Sequence, residues 1–317
     1  MPISISPRFC LGLAASCLLT TSTVTLAAPP YEEWGTPINA NNMPGSAPDV
    51  NSGAIDGCVS LSRDGLELYL TSFRDGLADI YVAARSDTSQ GFGSPQKLPG
   101  TVNTPGANEA CPTIIGRNTL HFLRSSPGDP GSLYVSRRTS GDWQTAVPFL
   151  PQYNTNALEE SVGIFEDEEG REVVIFSRRN NDGSGGEILQ SVDGGAPVPV
   201  AGGPNAAGAN NRPWVSRNGL VIAFDSTRPG GVGAVDIWFA ERDSTSEPFG
   251  EAYNIPEINS PAIDLRPAIS WDGTQMFFSS WRPGAVYPGA GPLFPDIWYA
   301  ERERRRGPKM IEFPSGD

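Results

Sequence analysis

The sequence predicts an all-β fold: a five-bladed β-propeller of four-stranded antiparallel blades, closed by an N-terminal strand. Three observations carry that expectation. Gly (36) and Pro (30) supply about a fifth of the 317 residues, too much turn chemistry for a helical protein and without a collagen period. No segment sustains a helical hydrophobic period, whereas short aromatic and β-branched runs alternate with Gly, Pro, Asp and Asn. One motif then recurs five times at spacings of 53, 50, 51 and 54 residues, the positions being Val59, Pro112, Val162, Pro213 and Pro267.

Taken in order, the chain opens as an export signal. Arg8 is the lone charge before Glu32, Phe9 to Leu19 are apolar, and Thr25-Leu-Ala27 offers small residues for cleavage after Ala27. Residues 1–27 are therefore expected to be a signal peptide and 28–317 a single exported domain, periplasmic or secreted. Lipoprotein processing at Cys17 is the alternative, but Ala14-Ala-Ser16 before it lacks the usual leucine. Trp34-Gly-Thr-Pro37 resembles a blade's fourth strand yet precedes the first blade, so it is expected to complete the last one. An open stack would leave pairing edges at both ends.

Blades start near residues 57, 110, 160, 211 and 265. The turn after each first strand reads Ser62-Arg-Asp-Gly65, Ser216-Arg-Asn-Gly219 or Ser270-Trp-Asp-Gly273 in the clearest copies. Second strands follow, as in Glu67-Leu-Tyr-Leu-Thr-Ser72 and Gln275-Met-Phe-Phe-Ser-Ser280. Third strands read Asp79-Ile-Tyr, Asp236-Ile-Trp and Asp296-Ile-Trp, and fourth strands begin near Phe92-Gly-Ser-Pro95 and Phe249-Gly. Four short strands per repeat make a blade, and five blades close a ring.

This pattern (P-x-x-S-x-D-G, S-x-R, D-I-[YW], then Phe/Trp-Gly) resembles the WD-repeat-like blades of TolB-type propellers over residues 33–302. The resemblance implies the fold. It leaves activity open, because such blades occur in non-enzymatic periplasmic interaction proteins, beside peptidases, and in some polysaccharide lyases and hydrolases. The additional N-terminal domain and sixth blade of TolB are not visible here.

Three polar columns run through the repeats. Ser-x-Arg precedes the acid of the third strand (Arg74 with Asp79, Arg179 with Glu187, Arg228 with Asp236, Arg282 with Asp296), and both change together in the second copy, to Ser126 and Ser132. An ion pair within each blade predicts that joint loss. Asn51, Asn103, Asn154, Asn205 and Asn259 form the second column, and Asp56, Glu109, Glu159, Asn210 and Asp264 the third. These bracket the loop entering each first strand. They read as turn chemistry or as a carboxylate mouth, in which Asp56, Glu109 and Glu159 are the candidate acid and base residues for glycoside cleavage.

Residues that break the symmetry are the better site candidates. The column before the Pro reads Cys58, Cys111, Ser161, Arg212 and Arg266. Cys58 and Cys111 sit at equivalent places on neighbouring blades, which suits a disulfide in an exported chain. Arg212 and Arg266 are candidates for holding a ligand's carboxylate or sulfate, and Asp264 is a ligand candidate beside them, or the arginines neutralise Asp264 and its neighbours. Trp214 and Trp271 are candidates for stacking on sugar. His121, the single histidine, is expected to be a strand histidine, with a catalytic base as the alternative.

Net charge −13 (23 Lys+Arg, 36 Asp+Glu) argues against nucleic acid and anionic lipid as partners. The cysteine and histidine counts leave no metal site to propose, and no cofactor is expected. The expectation is an exported, monomeric, non-enzymatic module binding a protein or glycan partner at one mouth of the ring. The alternative is a carbohydrate-active hydrolase or lyase.

Overall fold

Each repeat folds as a meander whose first strand lies nearest the axis. The computed structural model describes residues 31–285 and 295–305. The first strands are Asp56–Leu61, Asn108–Ile115, Leu158–Glu166, Asn210–Val215 and Asp264–Ile269, and they contact one another in sequence around a full circle. Each is followed outwards by the next strands of its own blade, all antiparallel, as in Glu67–Ser72, Asp79–Ala84 and Gln96–Lys97 for the first. The second blade adds a short extra strand, Asp142–Trp143, on its third. The described helices are three single 3-10 turns, and no helix among the described residues is long and apolar enough to cross a membrane.

The fifth blade takes its outer strand from the chain's start. Ile38–Asn39 pairs with Asp296–Glu301, Ile38 opposite Tyr299 and Asn39 opposite Trp298, and Gly35 N–H donates to Glu301 O at 2.8 Å. The ring is therefore closed by main-chain hydrogen bonds, as the position of Trp34-Gly-Thr-Pro37 predicts. The expected export signal, with Cys10 and Cys17, lies outside the described residues.

Apolar faces of neighbouring sheets pack against each other and form five clusters. Between the fourth and fifth blades lie Trp34, Phe239, Ile269, Phe278 and Trp298. Trp238 packs similarly between the third and fourth.

The Asn column welds successive blades. Each side chain copies a strand, accepting from the backbone N–H of one third-strand residue in the preceding blade and donating to its C=O. Asn103 does so with Ile80 (2.8 and 2.9 Å), Asn205 with Ile188 (3.0 and 2.8 Å) and Asn259 with Ile237 (2.8 and 2.9 Å). Asn154 holds Leu133 the same way. Asn51 reaches Ile297 of the last blade, so this seam also crosses the closure.

The Ser-x-Arg column pairs differently from expectation. Its arginines turn back over the first strand: Arg74 meets Asp56 at 3.1 Å and Arg282 meets Asp264 at 2.7 Å, while Arg228 donates to Asn210 at 2.9 Å. The bend comes from the motif's own serine, which accepts from the arginine Nε in all three blades. Blades two and three use a shorter route. Arg124 and Arg178 stand directly opposite Glu109 and Glu159 in the ladder and meet them at 2.8 Å each. Asp79 instead takes Lys97 (2.6 Å), Asp236 the backbone N–H of Val232 (2.7 Å) and Asp296 the amide of Asn39 (2.7 Å).

Candidate functional site: the axial cavity

All five first strands break register at one place. The ladders slip between Gly57 and Ser60, Ala110 and Thr113, Glu160 and Gly163, Asn211 and Trp214, and Leu265 and Ala268. The extra residue is a β-bulge, and Cys58, Cys111, Ser161, Arg212 and Arg266 occupy it with φ of 48, 50, 60, 47 and 61°. Left-handed backbone costs a non-glycine residue roughly 1–2 kcal/mol. Freed from the ladder, the bulge N–H finds an acceptor on the preceding blade's second strand: Cys58 on Ser279 across the ring closure, Cys111 on Thr71, Arg212 on Ser177 and Arg266 on Asp225. The column of symmetry-breaking residues is thus a ring of bulges around the axis.

Their side chains tie the ring across blades. Cys58 and Cys111 form a disulfide with Cα atoms 4.8 Å apart. Arg212 forks onto Asp225 (2.9 and 2.7 Å) and reaches Glu160 of the preceding blade (3.2 Å), which Arg179 also approaches at 3.0 Å. Burial resists ionisation of Glu160, yet Arg212, Arg179 and Arg266 outweigh it and hold this carboxyl below its usual value. Asp225 lies the other way, because burial exceeds the pull of Arg212. Glu160 and Asp225 were not legible as site residues in the sequence. The available signal was an acid in the second strand, Asp225, where three other blades carry Ser or Thr.

Beyond the bulges the channel widens into a cavity of about 1380 Å³. It lies at the turn end of the first strands, with Arg212, Arg266 and Ser161 among its lining. Between blades four and five the lining extends to Tyr253 and Ile255 on one side and Tyr31 to Trp34 on the other. Trp214 and Trp271 both line it, and Trp271 is half-exposed with the guanidinium groups of Arg63 (4.5 Å) and Arg217 (4.7 Å) near its ring.

Four of the predicted ligand residues therefore come together: Arg212, Arg266, Trp214 and Trp271. Asp264 does not join them. It is buried at the opposite end of its strand, where Ser260 N–H (2.6 Å) and Arg282 occupy its oxygens. Asp56, Glu109 and Glu159 stand at that same entry end, fully buried and outside the cavity lining. Asp56 accepts from Ser52 N–H at 2.6 Å, Glu109 from Thr104 N–H at 3.0 Å and Glu159 from the Thr155 hydroxyl at 2.6 Å, each besides its arginine. Burial raises the Glu109 carboxyl above the usual range, and its Oε2 has no partner among the described residues. His121 is buried edge-on to Phe149 (4.4 Å), and burial, with Arg137 nearby, lowers its pKa to about 3. It is a neutral core imidazole at physiological pH.

Among the described residues no group of three or more His, Cys, Asp or Glu side chains is placed to hold a metal ion.

No protein-family model matches the chain, and no curated protein matches it in sequence. Solved structures do match in fold. A thermostable family-43 glycoside hydrolase is 13% identical, with a TM-score of 0.53 over 85% of this chain and 94% of that one. The α-L-arabinofuranosidase of Podospora anserina is 10% identical, with a TM-score of 0.54 over 87% and 98%. A TolB structure from Agrobacterium tumefaciens is 18% identical at a TM-score of 0.45 over 81% and 80%. Identities this low establish the five-bladed ring and leave the TolB-type repeat family as a resemblance. They also correct the expectation of a non-enzymatic binding module. Several chains that share this ring nearly end to end are glycoside hydrolases.

Proposed function

We propose that the protein is a carbohydrate-active hydrolase or lyase that takes a glycan in the axial cavity. The observation that carries this reading is the cavity itself: roomy enough for several sugar rings, reaching between blades four and five, and lined by Trp214 and Trp271. Indole faces stack on the apolar faces of sugars while hydroxyls keep polar contacts at the edges. The glycoside hydrolases that share the fold support it.

The entry-end carboxylates are engaged with backbone N–H groups and arginines, so on this reading they hold the scaffold. Glu241 and Glu257 face the cavity from blade four, and Glu241 accepts from Tyr253 Oη at 2.6 Å. They are the acid and base candidates. Exported chains with a disulfide suit a secreted or periplasmic polysaccharide-processing role.

The test is turnover by residues 28–317 on arabinan, xylan and polygalacturonate, reading new reducing ends for hydrolysis and ultraviolet absorbance of unsaturated ends for elimination. Release on at least one polymer is expected, falling at least about 100-fold in Glu241→Gln or Glu257→Gln. Both residues are exposed, so folding does not confound the variants. No release on any polymer overturns the reading, and full activity in both variants overturns the acid–base assignment.

A further inference from the structure

The cavity floor is electrically unbalanced. Arg179, Arg212 and Arg266 meet two carboxylates there, Glu160 and Asp225. Arg212 and Arg179 take both. Arg266 touches Asp225 through its backbone N–H (3.2 Å), but its guanidinium makes no ion pair among the described residues, and its Nε has no hydrogen-bond partner. Arg266 is half-buried, and a guanidinium partly withdrawn from water with another cation beside it is costly unless something anionic completes the site. Burial and Arg212 pull its pKa down to about 10, and the nearby charges of Glu160 and Asp225 offset only part of that pull.

The rim repeats the bias. Arg63, Arg217, Arg302 and Arg305 line the cavity with the two floor arginines, against four glutamates, of which Glu32 is tied to Arg305 at 3.2 Å. The chain as a whole carries −13. An arginine-lined recess in an acidic protein concentrates anions locally. The same recess carries Trp214 and Trp271, so the anionic group arrives attached to a ring that stacks. A planar carboxylate matches the planar guanidinium better than a tetrahedral sulfate does.

We infer that the cavity selects an acidic glycan, a uronate-bearing chain whose carboxylate docks on Arg266 at the floor. The inference rests on the glycan reading above and adds the substrate's charge to it. Arg212 is locked by Asp225 and Glu160 and acts as the fixed second cation.

The experiment is calorimetric titration of residues 28–317 with tetragalacturonate and with its fully methyl-esterified form, which is the same sugar without charge. The acid is expected to bind at least about 10-fold more tightly, with the preference weakening as salt rises. Arg266→Gln is expected to abolish the preference without lowering the melting temperature, since it removes an unpaired cation. Arg266→Lys is expected to keep part of the preference. Equal affinity for the two forms overturns the inference and leaves the glycan reading standing. A preference that survives in Arg266→Gln overturns the role of Arg266. A fall in that variant's melting temperature makes Arg266 structural and also overturns it. Tighter binding of a sulfated neutral tetrasaccharide than of tetragalacturonate overturns the carboxylate.

Discussion

A buried asparagine that imitates a strand is the smallest unit on which the ring depends. The Asn103 amide oxygen accepts from Ile80 N–H, and its amide NH2 donates to Ile80 C=O and Leu98 C=O. Removing it strands buried backbone groups that water cannot reach, each worth about 1–3 kcal/mol. Asn103→Ala is therefore expected to lower unfolding free energy by about 2–4 kcal/mol in denaturant titration, and Asn181→Ala, at an exposed position, to change little. His121 acts in the opposite sense. Its folded pKa is depressed to about 3 from 6.5, so the unfolded chain binds its proton first. The stability it contributes is complete above pH 6.5 and is lost as pH falls towards 3. A loss of a few kcal/mol across that window is expected, and His121→Leu should flatten it in the same titration. The asparagines, the acids and the histidine were each visible in the sequence as columns or singletons. Their partners were not, because which arginine meets which acid depends on ladder register. Asp56 and Asp264 pair with an arginine two residues past a serine, and the longer Glu109 and Glu159 with one directly opposite.

At the scale of the strand, the bulge explains why the interesting column breaks symmetry. A first strand running unbroken would carry its side chains alternately into the two sheet faces. The bulge frees one residue per blade from that alternation and aims it at the axis. Pro112, Pro213 and Pro267 follow the bulge residue in three blades, and proline within a strand marks such a break. That was the available signal. The left-handed backbone was hidden because no glycine occupies it. Ser161 holds φ of 60°. Ser161→Gly is accordingly expected to raise stability by about 1 kcal/mol, and Ser161→Val to lower it by a similar amount or more, since β-branched residues tolerate positive φ least.

For the whole molecule, the strand count, ring closure and disulfide were all legible, because repetition at a fixed period leaves few architectures open. The direction in which the site faces was not. Sequence columns gathered the carboxylates of the entry end, and the fold turned them inward, leaving the cavity to the arginines and tryptophans of the turn end. Two restraints hold the ring's circumference at the bulges: the disulfide joins blades one and two, and the Glu160–Arg212–Asp225 group joins blades three to five. The disulfide closes a loop of 53 residues, worth about 4 kcal/mol in the chain-entropy model. Reduction is expected to lower the melting temperature measurably without opening the ring, because Ile38–Asn39 still pairs with the last blade.

The account's central claim is that the turn-end cavity is where a glycan binds. A crystal structure of residues 28–317 soaked with tetragalacturonate tests it most directly. The account predicts sugar density between Trp214 and Trp271 with a carboxylate on Arg266. Density at the opposite mouth, beside Asp56, Glu109 and Glu159, would contradict it.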